Sequence, residues 1–177
     1  MKYSLYQPNQ LEELKHVFHK TFTDSEGEAE GALIGDLVSD LMTTDKNDLM
    51  VFVAADNEKI VGSIIFTRMT FENSVNAFLM APVAVHTDYQ GKGVGQALIT
   101  FGLQTLQEQS VTLVLTYGDP NFYSKVGFTQ ISEQQVKAPL NLTYPEGWLA
   151  QSLVSDNIEP IAGNSSCVEA INKQMYW

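Results

Sequence analysis

Cys167 is the only cysteine in this 177-residue chain, and Arg68 the only arginine. One thiol cannot build a disulfide framework or a thiolate zinc site within a chain. Bases of any kind are scarce. Ten lysine and arginine residues stand against 21 aspartates and glutamates, for a formal charge of −11. A nucleic-acid binder needs a basic face to neutralise phosphates, which this composition does not supply. Attachment to an anionic membrane surface is disfavoured for the same reason. Long hydrophobic runs are missing too: stretches such as Ser63–Phe66 fall far short of the ~20 residues of a membrane helix. Met1–Ser4 leads into no apolar signal core. These absences describe a soluble cytoplasmic protein with neither nucleic acid nor membrane as partner.

What is present is globular. Hydrophobic residues make up 44% and charged residues 18% of the chain, a balance that is neither disordered nor fibrous. A chain of this length buries roughly 70% of its unfolded surface, so the expectation is a single domain over 1–177. Residues 3–7 read as a strand closed by Pro8. Leu11, Leu14, Val17, Phe18 and Phe22 then recur at helical spacing, with Asn9 and Glu12 as a capping box. A polar break at Thr23–Gly27 precedes a second helix striped by Leu33, Ile34, Leu37, Val38 and Leu41. The period changes after this. Leu49–Ala55 and Lys59–Thr70 read as a hairpin turned at Asp56–Glu58, and Ala77–Val85 as a third strand with a proline inside it. Gly93–Gln109 is helical, Val111–Tyr117 a strand buried on both faces, Asn121–Lys125 a short helix and Phe128–Ile131 a strand. Beyond Pro139 the pattern is irregular, with Trp148–Val154 read as helix and Ser166–Ile171 as strand. The order defines a mixed α/β domain.

The informative segment runs from Ala81 to Ile99: strand, loop, glycine-rich turn, helix. Glycines at a helix start let the backbone approach an anion, which the orphan N–H groups and helix dipole then hold. A P-loop is excluded because Lys92 is followed by Gly93 and not by Ser or Thr. A dinucleotide fingerprint is excluded because Gln96 stands where its third glycine belongs. Three glycines alone fit a tight strand-to-helix turn as readily as an anion cradle. Pro82 adds a second signal, since a central strand tolerates proline only at a bulge or edge. A bulge there frees the backbone of Val83 and Val85 for an extended amide-bearing ligand.

With Gln90, Gly93 and Gly95 in the pattern Gln/Arg-x-x-Gly-x-Gly/Ala, and Phe122, Tyr123, Gly127 and Phe128 in Phe-Tyr-x-x-x-Gly-Phe, the chain resembles the GCN5-related N-acetyltransferase (GNAT) superfamily. The Ala-Pro-Val-Ala-Val strand and the Gly-Asp-Pro turn look most like its bacterial YhbS-like subgroup. The resemblance covers roughly residues 3–135, leaving 136–177 as a C-terminal extension packed on the core. It implies the GNAT fold, a mostly antiparallel sheet splayed between its fourth and fifth strands and flanked by helices. It also implies acetyl-CoA as cosubstrate. On this reading the pantetheine lies along Val83, Ala84 and Val85, and the pyrophosphate sits on Gln90, Gly91, Lys92, Gly93, Val94, Gly95 and Gln96. Tyr117 stands where many relatives carry an asparagine that contacts the cofactor.

The resemblance further implies direct attack of a primary amine on the thioester, with Tyr123 as general acid for the leaving thiolate. Packing of Tyr123 beside Phe122 and Phe128 is the structural alternative. Lys92 and Lys125 are candidate phosphate partners. His86 is read as a turn residue, and His16 with His19 lack the third ligand of a metal site, so no metal is expected. Asp24, Glu26, Glu28, Glu30 and Glu72 are candidate bases. Residues 23–48 hold eight acids and one base, Lys46, an acidic rim suited to a cationic small-molecule amine. A protein lysine or N-terminus is the alternative acceptor, and an acyl-CoA-binding or sensing module without acceptor chemistry the alternative function. The protein is expected to be a monomer or homodimer, with Trp148, Tyr176 and Trp177 closing a pocket or forming a dimer contact.

Overall fold

The structure is a computed structural model that describes residues 1–177. β1 (Lys2–Leu5), α1 (Leu11–Glu26) and α2 (Glu28–Leu41) come first, then the strands β2 (Leu49–Asp56), β3 (Lys59–Phe71) and β4 (Ala77–Val85). α3 (Val94–Glu108), β5 (Leu113–Tyr117), α4 (Pro120–Tyr123), β6 (Thr129–Gln130), β7 (Trp148–Ser152) and β8 (Ser165–Ser166) complete the chain. The strands form one open mixed sheet in the order β1-β2-β3-β4-β5-β7-β6, with β8 added against β3. The chain divides into two compact units, 1–66 with 82–102 and 67–81 with 103–177, and β3 and β4 contribute to both.

In the first unit, Leu14, Val17 and Phe18 of α1 and Ile34, Leu37, Val38 and Leu41 of α2 are buried, as their spacing requires. The expected polar break is not a loop. Helix runs through Thr23–Glu26, and only Gly27, at φ 101°, separates α1 from α2. The start of α1 also differs from expectation: a 3-10 turn at Pro8–Gln10 precedes it, and Gln10 Oε1 accepts from Gln7 N–H at 2.8 Å. β1 pairs antiparallel with β2, from Lys2↔Ala55 to Leu5↔Phe52. Phe52 meets Phe66 and Phe101 edge-on, each with ring centres 5.7 Å apart. The β2–β3 turn falls at Asn57 and Glu58, both at positive φ, the geometry a two-residue hairpin favours.

In the second unit, β4 and β5 run parallel from Ala77↔Leu113 to Met80↔Thr116. β4 itself continues five residues further, to Val85. Pro82 therefore lies beyond the last β5 rung, where its missing N–H breaks no bond of that ladder. Trp148–Ser152, expected as helix, is instead the strand β7. It pairs antiparallel with all five residues of β5, from Leu113↔Ser152 to Tyr117↔Trp148, and on its other side with β6. Open edges of β5 and β6 and the burial of Trp148 outweigh local propensity here. Ser165–Ser166 makes a two-residue bridge to β3, and Glu169–Ile171 is a 3-10 turn, not a strand. Trp148 and Trp177 are buried, with ring centres 5.8 Å apart. Their indole N–H groups donate to Val136 O at 2.8 Å and Ile171 O at 2.9 Å. Neither indole is a surface contact.

Removing Trp148 deletes a wholly buried ring and leaves the Val136 carbonyl without its donor. Trp148→Ala should therefore lower the unfolding free energy by about 3–5 kcal/mol, read from urea denaturation. A chain ending at Pro139 lacks β7 altogether and should lose its cooperative melt. A truncated chain that melts like the full one would show that β7 is not integral to the second unit.

Candidate active site

The glycine-rich turn belongs to the first unit, and each of its polar side chains fastens it. Gln90 Nε2 donates to Val85 O at 2.8 Å, closing the loop onto the end of β4. His86 Nδ1 accepts from Asp88 N–H at 3.3 Å, which makes His86 the cap of a 3-10 turn. Tyr89 Oη donates to Asp56 Oδ2 at 2.9 Å, and that carboxylate raises the phenol's pKa. Lys92 Nζ donates to Asp88 O at 2.8 Å. This turns the ammonium back onto the loop.

Gly91 and Gly93 have φ of 71° and 79°, a region where L side chains are strained. A Cβ at either position would meet nothing within 4 Å. The glycines thus serve the backbone path and leave open space beside it. Ala97 N–H bonds Gly93 O at 3.0 Å, so Val94, Gly95 and Gln96 carry the orphan N–H groups of α3. Before the loop, burial alternates along β4: Pro82 and Ala84 are buried, Ala81, Val83 and Val85 half-exposed. An open strand edge, glycines that leave room for an anion, and a helix N-terminus form a surface that fits a long ligand with amides and a pyrophosphate.

Among the candidate bases, Asp24 is engaged. Lys20 Nζ lies 2.6 Å from its Oδ2 and Thr87 Oγ1 donates to it at 2.7 Å. The ammonium first and the hydroxyl second hold this carboxyl below its ordinary pKa. Glu26 and Glu28 are exposed beside Gly27, and Glu30 is half-exposed. Glu28 lies 3.7 Å from His19 Nε2. In the second unit Glu72 Oε1 accepts from Asn164 N–H at 3.3 Å. Lys125 is exposed, and Arg68 pairs with Asn76 and stacks over Phe78, 4.3 Å from the ring centre.

Tyr123 belongs to the second unit. Asp119 caps α4, its carboxylate accepting from Asn121 N–H at 2.9 Å with Pro120 as the first helical residue. Asp-Pro before a short apolar run is a legible start signal. The Tyr123 ring meets Phe122 and Phe128 edge-on at 5.0 and 6.0 Å. Thr116 Oγ1, on the neighbouring strand β5, donates to Met80 O at 2.8 Å. Burial foremost, opposed by Thr116 and reinforced by the Asp119 charge, pushes the Tyr123 pKa up to about 12. Tyr117, at the family's asparagine position, stacks on Trp177 at 5.9 Å, and its oxygen accepts from Tyr144 N–H at 2.6 Å. It braces the C-terminal segment.

The chain is similar to known proteins. Residues 47–130 match the family described as Acetyltransferase (GNAT) domain. The uncharacterized N-acetyltransferase YjhQ of Escherichia coli K12 is 30% identical over 141 residues, 76% of this chain and 77% of that protein. The corresponding YhbS is 34% identical over 105 residues, 58% and 60% of the two chains. The crystal structure of E. coli YhbS in complex with CoA has a TM-score of 0.80 at 24% identity, covering 98% of this chain and 92% of that one. A GNAT family acetyltransferase from Brucella melitensis, in complex with acetyl-CoA, has a TM-score of 0.74 at 20% identity, covering 96% and 97%. These two structures share the fold. An open mixed sheet feeding a glycine-rich turn is thus the framework of an acyltransferase. The chain belongs to the GNAT family of N-acetyltransferases.

Two outcomes follow for Tyr123. A Cβ at Gly118 would stand 2.7 Å from Tyr123 Cε2, so Gly118→Ala should displace the ring, shift its aromatic NMR signals and cost about 1–3 kcal/mol. The raised phenol pKa also gives a sign in pH. Its contribution to stability is complete below pH 10, the unfolded value, and is lost as pH rises towards about 12, because only the unfolded phenol ionises there. Alkaline denaturation of Tyr123→Phe should lack that component.

Proposed function

We propose that the protein transfers the acetyl group of acetyl-CoA to the primary amine of a small, cationic molecule. The observation that carries this reading is the pair Gly91 and Gly93, held at positive φ beside open space at the start of α3. Acetyl-CoA, when bound, supplies the activated thioester. The N–H groups of Gly91, Lys92, Gly93, Val94, Gly95 and Gln96 hold its pyrophosphate, with Gln90 bracing the loop that presents them. Val83, Ala84 and Val85 offer backbone to its amides. Val85 O already accepts from Gln90, so Val85 N–H and the groups of Val83 are the partners on this strand. A backbone N–H of the same segment steadies the oxyanion.

Tyr123 acts as the general acid. The acceptor attacks as the free amine, whose pKa near ~10 requires loss of a proton first. Collapse of the tetrahedral species then expels the sulfur, which takes the phenolic proton. The proton released by the new amide nitrogen returns to the phenolate, so none is gained or lost at Tyr123. Glu26, Glu28 and Glu30, clustered where α1 meets α2, supply the negative field that draws a cationic acceptor.

Calorimetric titration with acetyl-CoA tests the cradle, with micromolar binding expected. Gly93→Ala, which forces an L residue to φ 79°, should weaken that binding. No heat at millimolar cofactor would end the acetyltransferase reading. Tyr123→Phe should bind acetyl-CoA nearly as well as the native protein while losing about 100-fold in kcat. With the phenol pushed up to about 12, the native enzyme should show no alkaline limb from Tyr123 below pH 10.

A further inference from the structure

The glycine turn has little packing of its own. Thr87, Asp88 and residues 90–93 are exposed, and a Cβ at Gly91 or Gly93 would touch nothing within 4 Å. An unpacked loop keeps its conformational entropy until a ligand orders it, and that cost is taken from affinity. Two hydroxyls stand against this. Thr87 Oγ1 donates to Asp24 Oδ2 at 2.7 Å, across 63 residues of chain. Tyr89 Oη donates to Asp56 Oδ2 at 2.9 Å, across 33. Thr87 and Tyr89 open and close the single 3-10 turn that follows His86, so one turn is tied to the last turn of α1 and to the last residue of β2. Both ties are hydroxyl to carboxylate, the stronger, charge-assisted kind of hydrogen bond.

Carboxylates are unexpected neighbours for an anion cradle, because a fixed negative charge repels a pyrophosphate. Lys20 Nζ, 2.6 Å from Asp24 Oδ2, offsets one of them, and Lys92 Nζ lies over the Tyr89 ring, 5.6 Å from its centre. The charge of the two acids works against the cradle; their geometry works for it. We infer that Asp24 and Asp56 are positioning residues for the cofactor loop: by accepting from Thr87 and Tyr89 they hold the turn to two separate elements, so that the N–H groups of residues 91–96 are in place before the cofactor arrives. This rests on the acetyl-CoA reading of the cradle. It also gives Asp24 a part other than that of a base, since Lys20 and Thr87 already occupy its carboxylate.

The test is calorimetric titration of the full chain with acetyl-CoA, paired with amide hydrogen exchange of residues 91–96 in the free protein. Thr87→Val keeps the shape and removes the donor, and Tyr89→Phe does the same at the second tie. Each should weaken acetyl-CoA binding about fivefold and speed exchange in the loop. Thr87→Ser should restore both. Thr87 is exposed, so its variants should keep the native urea midpoint. Asp24→Ala separates position from charge: removing a negative charge alone would tighten binding, whereas loss of the tie should weaken it. Native affinity in Thr87→Val or Asp24→Ala would overturn the inference, as would tighter binding in Asp24→Ala or a serine variant no better than valine. Failure of the acetyl-CoA reading looks different: the native protein itself would give no heat, and the inference would fall with it.

Discussion

The four rungs of parallel pairing between Ala77–Met80 and Leu113–Thr116 set the terms for the rest of the molecule. A parallel pair cannot be joined by a tight turn, so the chain must cross over between β4 and β5. That crossover contains the glycine-rich loop and α3. Because pairing stops at Met80 while β4 runs on to Val85, the strand's last residues retain backbone groups free of β5. Pro82 falls in this stretch, where no β5 acceptor is waiting for an N–H. The crossover places a helix start after a strand end that is unpaired on its β5 side, and both halves of the proposed cradle follow from it.

The local parts of this arrangement were legible in the amino-acid order. Ala77–Val85 was read with its observed bounds, and the hairpin turn at Asp56–Glu58 announced itself by composition, the structure narrowing it to Asn57 and Glu58. The loop motif was legible because positive φ at Gly91 and Gly93 has a residue signature. Gln90 was singled out as a cofactor contact, and the structure shows it in a bracing role. Its amide closes the loop, a contact that only the folded path of Val85–Gln90 brings into range. Trp148–Ser152 was misread because nothing local distinguishes it: its strand character comes from β5 and β6 on either side.

The general-acid role proposed here for Tyr123 asks two opposite things of one phenol. It must stay protonated in a half-buried, aromatic setting and still release its proton during turnover. Phe122 and Phe128 secure the first by excluding water from the ring's edge. Asp119 adds to it, since the carboxylate that caps α4 also opposes a phenolate nearby. The residue that starts the helix thus contributes to the proton affinity of the residue that ends it. One charge serves both the helix cap and the phenol's proton affinity.

Strand β7 has a consequence for how the chain is made. β5 lies between β4 and a strand encoded more than thirty residues later, and β6 pairs with that later strand alone. During synthesis the first unit has all its residues once position 102 has emerged. In the second, the β5 edge has no partner until residue 152 is out. Between these moments β5 presents an unpaired apolar edge, Leu113–Val114–Leu115, of the kind that invites mispairing. The nascent chain is most exposed to aggregation in that interval, while residues 118–147 are still being added.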